Sequence, residues 1–545
     1  MESPVSYTKN NGALTSAETA CIKDYGLYYF ENVKRPQLVS PGTLARLLNT
    51  ADEARQRHEF QQCVEILERA SRLDPANVNL LLNLGHAYGN NFDFSAAERC
   101  FEKAIRLASK KTEALTGAAL RARDFGNHPM AAHYYRLAAG QPDAAPDTLV
   151  ALAEISERQR QLAEAGQLID RALHLKPDLP AALLVRARLE RQAGRLTEAE
   201  NILKAFPAGA ERDVRARAQY ELGGIWDRQG RYDEAMTAFL AAKELLAPDA
   251  APHIAGAQRI RSQLKEFRHQ LKADTLQRWR NAHREFQPVH RMALLCGHPR
   301  SGTTLLEQVL DSHPDIVSAE ETNIFHDHAY PLLSRNAPPE ADVLSVLESA
   351  PVERLQEARR NYFRCVESFL GGPVSDRLLL DKNPILTFLI APFLRIFPET
   401  KFLVALRDPR DVVLSCFMQP LPLNQSAAAF LTLAGAVEDY AALMTMYQTL
   451  APLLPNPCLE IRYEDMVDDL ESVARKTLDF LGVSWDARVL GFDEHARQKM
   501  VRSPTYADVT KPVFKTAVGR WRHYQKYLEP HLEMLAPFVK AFGYE

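Results

Sequence analysis

The sequence holds little cysteine and no grouping of it: seven residues in 545, at positions 21, 63, 100, 296, 365, 416 and 458. No two show the C-x-x-C spacing of a thiolate metal site, and an odd, scattered set does not suggest a disulfide framework. No metal site is therefore expected, and reducing surroundings are. An excess of charge of one sign is missing too. Sixty-six basic and 69 acidic side chains leave a formal net charge of −3, which excludes the broad basic footprint of a general nucleic-acid binder and leaves local basic pockets. Long apolar runs are also absent: no stretch reaches the ~18 residues that cross a bilayer. The opening MESPVSYTKNNG has no basic start followed by an apolar core, so no secretory signal is read there. A cytoplasmic protein without a membrane span is the expectation. At 545 residues, with 46% apolar and 25% charged side chains, the chain is an ordinary globular one too long for a single core.

What is there comes in two patterns. From residue 44 to about 250 the chain repeats itself. Ala70, Ala104, Ala138 and Ala172 stand 34 residues apart, as do Leu67, Phe101, Tyr135 and Ile169, and Cys63, Ala97, Ala131 and Ala165. The register continues at Ala199, Leu203 and Phe206 and slips by two residues to Ala235, Phe239 and Ala242. Small residues in this pattern let paired helices approach, and the larger ones fill the space between neighbours. A 34-residue period with Leu84, Gly85 and Tyr88 in a first helix and Pro75 or Pro177 at repeat ends resembles the tetratricopeptide repeat (TPR). Six repeats are counted, stacking into an all-α solenoid whose concave face takes a peptide or protein partner. Homo-oligomerisation through the array stays open. Residues 1–43 are unassigned, and 251–289 reads as a helical connector.

From 290 to 545 short apolar runs alternate with helical patterns. Strands are predicted at 292–296, 378–380, 401–406 and 458–461, and helices at 303–311, 384–396, 409–418 and 468–481. Such alternation implies an α/β domain with a parallel sheet and P-loop-like character, whose ligands sit beyond the carboxyl ends of the strands. The first strand runs into Cys296-Gly297-His298-Pro299-Arg300-Ser301-Gly302-Thr303-Thr304 and then a helix. A glycine-containing loop ending in a helix N-terminus aims backbone N–H groups at an anion. Gly297 and Gly302 have the spacing of a nucleotide-triphosphate P-loop, but Thr303 stands where that loop needs lysine. Arg300 inside the loop points to a different anion.

The segment PRSGTTLLEQVLDSHPDIVSAEET (299–322) resembles the 5′-phosphosulfate loop of sulfotransferases, among them the tyrosylprotein sulfotransferases and bacterial repeat-containing sulfotransferases. The likeness runs from 292 to near 540. It implies 3′-phosphoadenosine 5′-phosphosulfate as donor, with no metal, and Arg300, Ser301, Gly302, Thr303 and Thr304 around its 5′-phosphate. In KFLVALRDPRDVVLS (401–415) it implies Arg407 and Ser415 on the 3′-phosphate. Tyr463 in IRYEDM lies beside the nucleotide by the same likeness, and Lys511 and Arg520 of SPTYADVTKPVFKTAVGRW (503–521) close over it. The implied catalytic group is Glu321 as base, Arg300 and Lys382 on the bridging oxygen, and Thr505 where the family carries a serine. Glu320 competes with Glu321 for the role of base. Gln419 and Asn323 replace arginines of the tyrosylprotein enzymes.

The resulting expectation is sulfuryl transfer to a hydroxyl acceptor, with a protein or peptide tyrosine favoured and a carbohydrate, lipid or small molecule open. Two other readings compete: a sulfotransferase-like fold that serves as a repeat-based scaffold, and a P-loop kinase.

Overall fold

The structure is a computed structural model that describes residues 41–545, apart from 287, 336, 339–340, 422, 500–508, 512 and 514. Thr505 therefore lies outside the described residues, as does all but the end of the unassigned segment 1–43. Six helix pairs come first: Pro41–Gln56 with Phe60–Leu73, Val78–Asn90 with Phe94–Leu107, Lys111–Asp124 with His128–Ala139, Pro146–Arg158 with Leu162–Leu175, Pro180–Gln192 with Leu196–Lys204, and Arg212–Arg228 with Tyr232–Leu246.

The period read from the sequence is a packing period. Phe101, Tyr135, Ile169 and Phe239 are all buried, and the alanines at 70, 104, 138, 172 and 242 are fully so. Each pair turns on one residue in the left-handed region: His58, Phe92, Gly126, Arg160, Gly194 and Gly230. These turn residues repeat the 34-residue spacing and the final two-residue slip. Close approach explains the glycines of the first helices. A Cβ on Gly85 would lie 2.5 Å from the Phe101 ring and one on Gly223 2.6 Å from the Phe239 ring.

Helices Ala251–Gln270 and Ala273–Asn281 lead to a five-stranded sheet of order β2-β3-β1-β4-β5, in which every pairing is parallel. The strands are β1 Met292–Gly297, β2 Ile316–Ser318, β3 Leu378–Lys382, β4 Lys401–Leu406 and β5 Cys458–Arg462. Four of them match predicted runs. β2 was not predicted, because three residues beside a proline carry too little pattern to separate from a loop. Alternate strand residues feed two cores. Leu294, Cys296, Phe402 and Val404 face one, while Ala293, Leu295, Leu403 and Ala405 face the other. No described helix is long and apolar enough to cross a membrane.

The solenoid meets the α/β domain at both of its ends. Near its start, the Phe60 ring stacks on His328 at 4.7 Å, and the Asn91 carbonyl accepts from Arg364 at 2.8 Å. Near its finish, Asp227 pairs with Arg520 at 2.5 Å and accepts from the Tyr524 hydroxyl at 2.7 Å, while Tyr232 stacks on His523 at 4.3 Å. The last repeat and the connector share one apolar core with the α/β domain, through Phe239, Phe267, Leu276 and Trp279 on one side and Phe393 and Phe417 on the other.

A chain cut near residue 285, where the sequence pattern changes, loses Phe267, Leu271, Leu276 and Trp279 from that core. At ~1.5–3 kcal/mol for each large buried side chain, the loss rivals the ~5–15 kcal/mol that holds a typical fold. Fragment 285–545 is therefore expected to precipitate or to melt far below the full chain in a circular-dichroism scan. An equal melting temperature would show that the two halves have separate cores.

Candidate functional site

All five strands deliver a site residue beyond their carboxyl ends. β1 enters the loop 298–302, β2 precedes Glu320 and Glu321, β3 ends on Lys382, β4 precedes Arg407 and β5 precedes Tyr463. This follows from the strand order. The chain leaves β1 for one side of the sheet and returns to its other side at β4, so a crevice opens over the end of β1, where ligands of open parallel sheets bind.

The loop is shaped by backbone that only some residues tolerate. Gly302 has φ +93° and caps helix Thr303–Asp311, and a Cβ there would lie 2.6 Å from the Tyr463 ring. Arg300 also has a positive φ, +73°, a conformation that costs a non-glycine residue about 1–3 kcal/mol and tends to mark functional sites. The loop is held from several sides. Thr387 Oγ1 accepts from the Gly297 N–H at 2.8 Å, and the Ser301 N–H donates to the His298 carbonyl at 3.2 Å. Pro299, Arg300, Gly302, Thr303 and Thr304 line the cavity above, and Ser301 is buried beneath it.

Arg300 stands between the two residues expected on a second phosphate. Its Nε donates to Ser415 Oγ at 3.0 Å, and its carbonyl accepts from Arg407 Nη1 at 3.1 Å. Arg407 also donates to the Ala517 carbonyl at 2.5 Å and lies over the Tyr463 ring at 4.8 Å. Among the described residues its buried Nε has no acceptor. An orphaned guanidinium N–H beside a helix N-terminus suits a ligand with more than one anionic group. Ser415 and Lys511 line the same cavity. Arg520 lines it too, with its guanidinium engaged by Asp227 of the last repeat.

The carboxylate end is more tightly built. Lys382 is 1% exposed, and its ammonium lies 2.6 Å from Glu321 and 3.0 Å from Glu307. Burial alone would discharge it, but Glu307 and then Glu321 outweigh burial and hold its pKa above the ordinary lysine value. Its neighbour Asp381, buried and accepting from the Tyr362 hydroxyl at 2.5 Å, is pushed up to about 7 by burial.

The two candidate bases part company here. Glu321 is 28% exposed and opens on the cavity. Glu320, in the left-handed region at φ +53°, turns away to Lys499 at 3.2 Å. His298 and His313 are both buried, each with a ring nitrogen at a backbone carbonyl: Pro299 at 2.8 Å and Ser484 at 2.9 Å, respectively.

The cavity has a volume of about 2110 Å³ and is walled on its far side by the repeats. Glu154, Arg158, Arg188, Arg191, Arg217, Asp227 and Arg228 line it, all from the first helices of the last three pairs. The sequence flagged neither this wall nor Glu307. A glutamate in TTLLEQVLD reads as an ordinary helical surface residue, and no period links residue 188 to residue 321. Among the described residues there is no cluster of three or more side chains able to hold a metal ion.

Comparison with known proteins agrees with both halves. Residues 293–487 match the model of the sulfotransferase family, and residues 78–111 and 184–252 match tetratricopeptide-repeat models. An uncharacterized protein of Aquifex aeolicus is 24% identical over 339 residues, 59% of this chain and 42% of that one. A protein-tyrosine sulfotransferase of Drosophila melanogaster is 25% identical over 318 residues, 57% of this chain and 62% of its own. The chain thus spans less than two thirds of either relative. A solved sulfotransferase domain from the olefin synthase of Synechococcus PCC 7002 is 22% identical, with a TM-score of 0.31, over 42% of this chain and 86% of that one.

Helix Thr303–Asp311 is anchored at its far end by charge. Burial raises the pKa of the Asp311 carboxyl, but the hydrogen bond from His495 (2.9 Å) and the ammonium of Lys499 (2.6 Å) outweigh it and bring the value down to about 2. A depressed carboxylate contributes stability that is present above its unfolded pKa and is lost as pH falls through its folded one. Here the window runs from about pH 4 down to about pH 2, and the contribution is ~2 kcal/mol. Asp311→Asn should lower the denaturation midpoint at pH 7 and lose that difference from wild type on acidification. A gap between the two proteins that stays constant down to pH 2 would contradict this.

Proposed function

We propose that this chain, which carries a sulfotransferase-family domain behind tetratricopeptide repeats, moves a sulfuryl group from 3′-phosphoadenosine 5′-phosphosulfate to a hydroxyl acceptor. The observation that carries the reading is Glu321, held by the buried Lys382 and opening on the cavity that Arg300, Gly302, Thr303, Thr304, Arg407 and Ser415 line. The amides of the loop and the first helical turn suit the 5′-phosphate. Arg407 and Ser415 suit the 3′-phosphate, with Tyr463, Lys511 and Arg520 beside the nucleotide. Thr505 stays in the proposal on the sequence resemblance alone.

Chemically, the acceptor oxygen must lose a proton as it bonds to sulfur, while the bond from sulfur to the phosphate oxygen breaks. Glu321 is the group to take that proton. A phenol has a pKa near ~10 and a carboxylate near ~4, so the proton moves with the attack rather than before it. Arg300 and Lys382 supply fixed positive charge for the oxygen that leaves, the electrostatic role that preorganised cations fill in group transfer. No metal enters the proposal, because two side-chain cations already serve that oxygen.

For the acceptor we favour a tyrosine on a protein or peptide. Support comes from the relatives that are protein-tyrosine sulfotransferases and from the repeats' sharing one cavity with the donor loop. Remote contacts along the repeats would then contribute binding energy to the reaction. We place the protein in the cytoplasm, on cysteines that stand free among the described residues.

Nucleotide binding, turnover and labelling each test the proposal. 3′,5′-ADP at ~100 times its Kd should stabilise the chain by ~2.7 kcal/mol, a shift of several degrees in melting temperature, whereas ATP with Mg²⁺ should not. Equal or greater protection by ATP would favour a kinase. Arg407→Ala should weaken 3′,5′-ADP far more than 5′-AMP. In turnover, Glu321→Gln should bind 3′,5′-ADP normally yet lose roughly 10²–10⁴ in kcat, the range for a positioned base. If Glu320→Gln is the crippled variant instead, the base is misassigned. Radiolabelled donor incubated with extract of the native cell would show whether label enters protein or small molecules.

A further inference from the structure

Lys382 shares its ammonium between two carboxylates, and the proposed chemistry uses only one of them. The other, Glu307, lies in the middle of helix Thr303–Asp311 and is 1% exposed. Its Oε2 is 3.0 Å from Lys382 Nζ, and its Oε1 accepts from Ser318 Oγ at 2.6 Å. Ser318 Oγ in turn accepts the Glu320 N–H at 2.9 Å, so Glu307 is tied to the backbone that precedes Glu321. A buried carboxylate with both oxygens engaged costs several kcal/mol of desolvation before any gain. An apolar residue would fill this face of the helix without that cost.

We propose that Glu307 is a positioning residue for sulfuryl transfer: it anchors the Lys382 ammonium from behind, so that Glu321 can change its charge without Lys382 changing its place or its own. The inference rests on the sulfotransferase reading above. As Glu321 takes the acceptor's proton it becomes neutral, and Lys382 loses one of its two counter-charges while the oxygen that leaves gains charge. With Glu307 fixed behind it, the ammonium stays charged and turns one N–H toward that oxygen. Without Glu307, Lys382 would bind Glu321 alone, making a tighter pair and a weaker base.

The charged and titratable groups around this pair come from every element packed on it. They are Glu320 and Glu321 after β2, Asp381 on β3, Tyr362 on helix Val352–Leu370, and Lys499 with Asp311 at the helix end. Burial raises the pKa of Glu307 above the ordinary glutamate value, the ammoniums of Lys382 and then Lys499 pull it back toward the charged form, and the carboxylate of Glu320 adds to the rise, so the comparison must change Glu307 and leave its neighbours alone.

The test uses the full chain with Glu307→Gln, which keeps shape, and Glu307→Asp, which keeps charge. A titration of Lys382 followed through the 13Cε resonance of labelled lysine between pH 8 and 12, with Lys382→Arg to assign the signal, needs neither an acceptor nor reagent access to this buried ammonium. Its titration midpoint should fall by about one unit in Glu307→Gln, the size expected for losing one close opposite charge, and return toward wild type in Glu307→Asp. With tyramine as acceptor, the acid limb of kcat/KM should move to lower pH by a similar amount in Glu307→Gln while kcat drops about tenfold. Binding of 3′,5′-ADP should be unchanged.

A purely structural role would lower activity equally at all pH and leave both midpoints where they are, and that result would overturn the proposal. So would a Glu307→Asp chain that behaves like Glu307→Gln. If the wild-type chain fails to bind 3′,5′-ADP, the sulfotransferase reading falls, and the Lys382 titration still decides whether Glu307 holds that charge.

Discussion

A fully parallel sheet offers its strand ends to a ligand on one side only, and in this protein that side is roofed by the repeats. The consequence reaches every part of the molecule. Because first helices from the last three repeat pairs line the same cavity as Glu321, an acceptor held at Glu321 shares that cavity with Arg188, Arg217 and Asp227. The solenoid does not hang from the α/β domain as a separate module. It is held at its start through Phe60 and Asn91 and at its finish through Asp227 and Tyr232. Its last repeat and the connector share an apolar core with the sheet.

The site is expensive to maintain. Arg300 and Glu320 sit in left-handed backbone that neither favours. Lys382, Glu307 and Asp381 are all removed from water. What offsets these costs is mutual: two carboxylates on one ammonium, a tyrosine hydroxyl on Asp381, a serine hydroxyl on Glu307. Buried charge of this kind adds little net stability. Its value lies in geometry, since a fully partnered buried network has few alternative arrangements. Asp411 plays a similar part for the late segment by accepting the N–H groups of Gly519 and Trp521 at 2.7 and 2.8 Å. Those bonds bring Arg520 to Asp227 at the repeat boundary.

Much of this was legible in the sequence, and for identifiable reasons. The repeats were, because a solenoid makes only neighbour contacts, so each packing demand recurs at the repeat length, down to the two-residue slip before Ala235. The position of the loop 297–304 was, because a strand end followed by a helix start is a local pattern, whereas Lys382, Arg407 and Tyr463 were singled out through the family resemblance. The short β2 escaped for want of length.

By itself, then, the sequence determined a six-unit helical array, an α/β domain with a parallel sheet, and an anion loop that lacks the P-loop lysine. Local spacing encodes each of these, and spacing can be read along a chain. Tertiary structure alone decided which of two adjacent glutamates opens on the cavity, that Glu307 stands behind Lys382, and that Arg520 faces Asp227 across nearly 300 residues of chain. In β-type backbone neighbouring side chains point to opposite sides, and a single left-handed residue, Glu320, is enough to reassign them. Contacts between elements distant in sequence depend on how helices and sheet dock. That is set by the summed burial of many apolar side chains rather than by any motif, and no short stretch of sequence carries it.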